Sequence, residues 1–424
     1  MPAGRKKFIK QIGAGLLLAG LPAALTKAGT MPVDEADFKN DALPDDEKYW
    51  KRIARKYYSV SGGYLNLENG YFGVQPKPVL EAYKKNVERV NTDLAKLARK
   101  DYPLIIAEVK KELAAFLQVS AEEIIITRNA TEALNIAIQG YPFKPADEVI
   151  LSQLDYFSMI ETFQMLEKRG ALKIKTIELP LLPQSEEEIV DVYRSAIGPQ
   201  TKVILLTQVS NINGLIVPVN KIAAMAKEKG VDIICDSAHA LGHIPLSLPG
   251  MGADFVGFNL HKWIGNPIGA GILYVKKDRI KEMKLFWGDF IAAETDINKL
   301  AHFGTTAFAV SMTIPESLAF HRLLGIGQIT KRLHYLKSIW VDAFKDHPTV
   351  EIVTPAQSNL SCAIASFRVK NRSSAEVSNS LYEQHSILTV GRSLGKNGCI
   401  RVTPGLYNSA NDVMKLVEAL KSYS

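Results

Sequence analysis

From about residue 104 onward, the hydrophobic positions of the chain fall into two alternating patterns. Ile105, Val109, Leu113 and Phe116 recur at the three- and four-residue spacing of an amphipathic helix. Short, nearly unbroken apolar runs follow at 124–126, 149–151, 203–206, 231–235, 255–258 and 272–275. Helix-length amphipathic segments such as NKIAAMAKEKG separate several of them. Buried strands alternating with helices predict an α/β domain whose mostly parallel sheet is covered on both faces. Ligands of such sheets sit beyond the carboxyl ends of the strands. After about residue 325 the pattern resets, with the strand-like run CAIASFRV and the helical segments SSAEVSNSLYEQH and NDVMKLVEALKS. The chain therefore divides into a large domain over 61–325 and a smaller C-terminal α/β domain over 326–424. The polar, charged stretch 29–60 reads as an N-terminal arm that leads into a helix and completes the smaller domain.

Composition adds little to this picture, and charge changes it in one place. With 424 residues, 47% hydrophobic and 22% charged, the chain resembles an ordinary folded enzyme of two domains. Its net charge is +7, but the first 28 residues hold Arg5, Lys6, Lys7, Lys10 and Lys27 and no acidic residue, so the remainder carries only +2 (7 minus 5). Charge therefore points to no nucleic acid, and no RNP-like motif or zinc-finger spacing is present. Residues 1–28 read as an export signal: a basic start, the apolar run IGAGLLLAGLPAAL, and the small-residue stretch TKAG with a cleavage position after Ala28. RKKFIK resembles a twin-arginine signal with lysine in place of the second arginine. A periplasmic or otherwise exported protein is expected, with a cytoplasmic one as the alternative. The apolar run is too short and glycine-rich to serve as a membrane span of the mature chain. Cys235, Cys362 and Cys399 form neither a disulfide framework nor a metal cluster. Asp236, His239 and His243 do not make a metal site either, because Gly242 and Pro245 oppose a helix that would align the histidines.

The chemistry concentrates near the third quarter of the chain. Asp236 closes the run VDIIC, and Lys262 follows DFVGF between His261 and Trp263. A carboxylate and a lysine at the ends of neighbouring buried strands are what a pyridine-aldehyde cofactor requires. The lysine forms an imine, and the carboxylate keeps the ring nitrogen protonated so that the ring accepts electrons. Pyridoxal 5′-phosphate is the expected cofactor. In ITRNATEALNIAI, Asn129 is an N-cap with Glu132 at capping-box spacing, and Thr131 adds a hydroxyl to a helix amino terminus able to hold a phosphate. Asn211, in TQVSNINGLIVPV, is either a turn residue beside glycine or an amide that bonds the cofactor ring oxygen.

DSAHALGHIPL followed by FNLHKWIGNPIGAGILYV resembles the class V aminotransferase family of fold-type I pyridoxal-phosphate enzymes, especially its isopenicillin N epimerase-like branch, over roughly residues 60 to 410. The resemblance implies a mostly parallel seven-stranded sheet domain with a smaller C-terminal α/β domain. It makes Lys262 the imine-forming lysine that moves protons at the substrate Cα, and Asp236 the partner of the ring nitrogen. His239 and Asn211 lie near the ring hydroxyl. Ala130 (through its N–H), Thr131 and His261 hold the phosphate, with Asn259 where many relatives carry serine. Tyr156 stacks on the ring. Thr305, in FGTTAF, reaches the phosphate of a neighbouring subunit, which implies a homodimer. Arg401, in IRVTPGLYN, binds the substrate carboxylate, and Asn69, in LENGYFG, approaches the substrate. The loop HSILTVGRSLGKNG lacks the reactive cysteine of the cysteine desulfurases, which argues against a persulfide mechanism. The expected activity is amino-group transfer on an amino acid or amino-acid-derived metabolite. The alternatives are an epimerase, a carbon–sulfur lyase or siderophore-tailoring enzyme, and a non-catalytic binding protein of the same fold.

Overall fold

A computed structural model of the chain describes residues 33–288 and 290–423; the expected export segment lies outside them. Seven strands form the large sheet: β1 (Ile124–Thr127), β2 (Glu148–Ser152), β3 (Lys173–Ile177), β4 (Thr201–Thr207), β5 (Asp232–Asp236), β6 (Phe255–Asn259) and β7 (Gly271–Val275). Their order is β1-β7-β6-β5-β4-β2-β3, and β7 alone runs antiparallel to its neighbours. The two-residue period of a strand divides their side chains between two cores. Ile204, Leu206, Ile233, Cys235, Val256 and Phe258 face one, whereas Val203, Leu205, Ile234 and Phe255 face the other. Each such apolar side chain is worth about 1.5–3 kcal/mol on burial. Apolar runs mark six of the seven strands. The seventh, β3, is an edge strand whose Lys173 and Lys175 are not buried, so it carries no apolar run.

The smaller domain has an antiparallel sheet of β8 (Val350–Ile352), β9 (Ala365–Val369), β10 (Val390–Arg392) and β11 (Cys399–Val402), in the order β10-β11-β9-β8. It packs through Phe367, Ile400 and Val402 onto Trp340, Leu416 and Leu420 of the helices Ile326–Ala343 and Ala410–Lys421. The arm helix Glu47–Tyr57 buries Trp50, Ile53 and Tyr57 against Phe320, Leu333 and Cys362–Ile364. The buried Arg332 fastens it by donating to the Pro44 carbonyl (2.8 Å), Glu47 Oε1 (2.5 Å) and the Asn408 carbonyl (3.1 Å). The chain then runs past the smaller domain, pairing Leu65–Asn66 in parallel with Ile387–Leu388. A further bridge sets Glu68 beside Thr403. That crossing delivers the LENGYFG loop to the carboxyl edge of the large sheet.

Candidate active site

Thr207, Asp236 and Asn259 end β4, β5 and β6, and all three line a cavity of about 480 Å³. Adjacent parallel strands put their last residues side by side, so positions far apart in sequence converge on one edge. Asp236 and Lys262 meet here because β5 and β6 are adjacent, with Asp236 opposite Gly257.

At the base of the cavity, Lys262 Nζ lies 2.9 Å from His239 Nε2. The indole N–H of Trp263 donates to His239 Nδ1 at 3.4 Å. An indole nitrogen is only ever a donor, so Nδ1 carries no proton. Burial holds the imidazole well below its usual pKa, hence neutral, and its single proton sits on Nε2. That N–H needs an acceptor, and the one at hand is the lone pair of a neutral Lys262 amine. Burial independently brings Lys262 down to about 7, with Asp236 pulling the other way. Trp263 is itself held by stacking on His243 at 3.7 Å between ring centroids. His243 donates from Nδ1 to the His239 carbonyl (3.0 Å) and accepts the Ala363 N–H on Nε2 (3.0 Å), which ties the lysine end to the smaller domain. Gly73 completes the enclosure: its N–H donates to the His261 carbonyl, and a Cβ there would lie 1.8 Å from the Lys262 carbonyl oxygen, so only glycine fits.

Asp236 accepts the Ala238 N–H on Oδ1 at 2.9 Å, and burial raises its pKa. A ring N–H⁺ would relieve that penalty, which is the fit a pyridine cofactor demands. Asp155, raised to about 7 by burial, fastens the ends of β2 and β4 by accepting the N–H groups of Ser152 (2.7 Å) and Thr207 (3.1 Å). At the phosphate end, Asn129 caps the helix Ala130–Gly140 by accepting the Glu132 N–H at 2.8 Å. The capping box expected there is shifted by one residue: the Glu132 carboxylate returns to the N–H of Arg128 rather than that of Asn129. The Ala130 N–H is donated to Asn259 Oδ1 at 2.8 Å, and Thr131 lines the cavity. His261 donates from Nδ1 to the Ala270 carbonyl at 3.1 Å, and burial lowers its pKa to about 4. Its Nε2 is therefore bare, and a phosphate dianion held beside it would favour the protonated ring. The donors, the carboxylate and the amine together fit pyridoxal phosphate.

The opposite end is cationic. Arg401 donates to the Asn211 carbonyl at 2.9 Å and pairs with Glu68, which Arg392 also contacts at 3.4 Å. Tyr156, Asn211, Asp236, His239, Asn259, His261 and Lys262 line the one cavity, with Ala130, Thr131 and Arg401. Two expected residues are outside it. Asn69 is buried beside a smaller neighbouring cavity, with its side-chain oxygen accepting the Val74 N–H at 3.4 Å. Thr305 is exposed on the surface. Sequence reasoning missed the roles of Trp263, Arg392 and Glu68. Trp263 and Glu68 sit inside the motifs that carry Lys262 and Asn69, and Arg392 sits in the loop that lacks the desulfurase cysteine.

The sequence profile of the class-V aminotransferase family matches residues 74–416. Among relatives, an isopenicillin N epimerase of Amycolatopsis lactamdurans is 26% identical over 88% of this chain and 98% of its own length. A probable cysteine desulfurase of Pyrococcus abyssi is 26% identical over 87% and 96%. A C-DES variant solved with glycine covalently linked to its PLP cofactor superposes with a TM-score of 0.77 at 19% identity, covering 86% of this chain and 97% of that one. The fold is thus that of the fold-type I pyridoxal-phosphate enzymes, and the chain belongs to the class-V aminotransferase family.

Proposed function

We propose that the protein is a pyridoxal-phosphate-dependent aminotransferase acting on the α-amino group of an amino acid or amino-acid-derived metabolite. The cofactor is pyridoxal 5′-phosphate. The observation that carries the reading is the Lys262 amine, brought down to about 7 by burial and lying 2.9 Å from His239, in one cavity with Asp236 and a pair of guanidinium groups. When bound, the cofactor supplies an aldehyde that captures amines and a ring that holds the electron pair released at the substrate Cα. Lys262 removes the Cα proton and, as one base on one face, suffices to deliver it one position away, the shift that amino-group transfer requires. The His239 N–H, beside Lys262, would be available to the ring oxygen of the bound cofactor. His261, Thr131 and the start of the helix Ala130–Gly140 would hold the phosphate, Tyr156 would cover the ring, and the guanidinium end of the cavity would receive a carboxylate.

Sulfur transfer through a protein thiol is not supported. Cys235, Cys362 and Cys399 are buried, none lines the cavity, and burial pushes their thiols up to about 12, 12 and 11. Epimerisation is the second reading. Tyr71 and Tyr156 line the same cavity and offer proton donors besides Lys262, and the relative from Amycolatopsis lactamdurans, 26% identical, is an isopenicillin N epimerase. Mixing the holoenzyme with a panel of amino acids separates the two. Conversion to the pyridoxamine form with release of a keto acid, reversed by adding a keto acid, is the expected result. Exchange of the Cα proton without keto acid would replace transfer with epimerisation.

We also propose a homodimer and export. Tyr71, Phe157 and Ile268 are exposed at the cavity mouth, and Thr305 is exposed as a residue serving a second subunit must be. Sedimentation at micromolar concentration gives twice the chain mass if the first holds. A mature periplasmic terminus near Gly29 is expected for the second, and an intact Met1 there contradicts it.

A further inference from the structure

His243 takes part in no step of the proposed chemistry, yet both of its ring nitrogens are engaged. The side chain is buried, at 1% exposure. Nδ1 donates to the His239 carbonyl at 3.0 Å, and Nε2 accepts the Ala363 N–H at 3.0 Å. An amide nitrogen only donates, so Nε2 is bare, the proton sits on Nδ1 and the ring is neutral. Burial favours the same state, and so do the facing His334 and Lys337. The two contacts come from different domains. His239 lies in the turn that follows β5, whereas Ala363 leads into β9 of the smaller sheet. The Thr330 hydroxyl, on the helix Ile326–Ala343, donates to the His243 carbonyl at 3.1 Å and fastens the backbone to the same side. Gly242, at φ +80°, lets the turn close on Ile264, whose backbone nitrogen would lie 3.0 Å from a Cβ there. The Trp263 indole lies flat on the His243 ring, within 15° of parallel. Trp263 and Ala363 share one apolar core with Trp50, Ile53 and Tyr57 of the arm helix.

We propose that His243 is a positioning residue which, pinned between the His239 carbonyl and the Ala363 N–H, holds Trp263 so that its indole N–H meets His239 Nδ1. The His239 proton is thereby kept on Nε2, facing Lys262, and the seam between the two domains helps to set how readily the lysine gives up its proton. The role given to Lys262 rests on the pyridoxal-phosphate reading; the tautomers of His239 and His243 do not. Asp236, Glu68, Arg392 and Arg401 also act on Lys262. A substitution at residue 243 leaves all four in place, so a change it causes at the lysine passes through His239.

Two measurements on the full chain, stripped of cofactor, test this. Nitrogen-15 shifts of the histidine rings at neutral pH report the tautomers, with His239→Asn and His243→Phe assigning the signals. His243 protonated on Nδ1 and His239 on Nε2, both neutral, is the expected result for the wild type. A charged His239, or one protonated on Nδ1, overturns the proposal whether or not any variant folds. The second measurement follows capture of pyridoxal phosphate as pH rises. His243→Phe keeps a flat ring against Trp263 but loses both pins, and it moves the capture midpoint up by about 0.7 pH. Trp263→Phe does the same, and the double variant goes no further than either, because both act through one N–H. A folded His243→Phe protein with an unchanged midpoint, or shifts that add in the double variant, overturns the proposal. Failure of the wild type to capture pyridoxal phosphate at any pH overturns instead the cofactor reading, and the wild-type tautomers then decide the place of His243.

Discussion

At one end of the cavity Lys262 and His239 meet each other and Trp263; at the other, Arg401 and Arg392 meet Glu68. Both ends withdraw basic groups from water, and the chemistry of the group decides how it responds. Where the nearest partners are neutral rings, burial wins and brings the amine down to about 7. Where a carboxylate is built in, the guanidinium groups keep their charge, as arginine nearly always does. On the proposed reading, the same desolvation prepares a base at neutral pH in one place and an anion receptor a few side chains away.

The largest expected break in that comparison is at the lysine. Lys262→Ala removes the only amine lining the cavity and lowers turnover by about 10⁴-fold, while the fold, carried by the two cores of the large sheet, keeps its melting temperature within a few degrees. The pH dependence of cofactor capture comes next. Lys262 attacks the aldehyde only when unprotonated, so capture by the cofactor-stripped protein rises as pH rises through about 7, where a solvated lysine would give a midpoint near 10.5. Stopped-flow absorbance checks this, and a midpoint above 9 contradicts the neutral-ring environment. At the arginine end, Arg401→Gln leaves Glu68 short of its buried partner and costs about 3–5 kcal/mol of stability, read as a drop in melting temperature. The smallest effect is the sharpest. Trp263→Phe keeps the stack on His243 but loses the N–H that fixes the His239 tautomer. His239 is then free to turn a bare Nε2 toward Lys262 and accept from the ammonium. A lost hydrogen bond of about 1 kcal/mol moves the capture midpoint up by about 0.7 pH, and an unchanged midpoint would detach Trp263 from the lysine.

Most of the fold was legible because apolar runs report burial on both faces of a sheet, and six of the seven strands are buried that way. β3 was not, because an edge strand with exposed Lys173 and Lys175 has no such signature. Asp236 and Lys262 stood out for a related reason: each ends or follows a buried run, so local sequence already fixed their edge of the sheet. Glu68 could not be read the same way. It lies 333 residues from Arg401, and the pairing of Leu65–Asn66 with Ile387–Leu388 and the bridge from Glu68 to Thr403 bring the two together. Charge pairs between distant segments leave no periodicity behind. The Ala130 N–H was expected to face a phosphate, but a side chain on β6, Asn259, accepts it, a contact made across the sheet edge that no local pattern contains.

One measurement bears most directly on the central claim, that Lys262 holds the cofactor above Asp236. Reducing the holoenzyme with borohydride fixes pyridoxal phosphate to whichever lysine it is joined to, and digestion with mass spectrometry locates it. A single pyridoxyl-modified peptide containing Lys262 is the predicted result. Label on another lysine, or on none, would contradict the account.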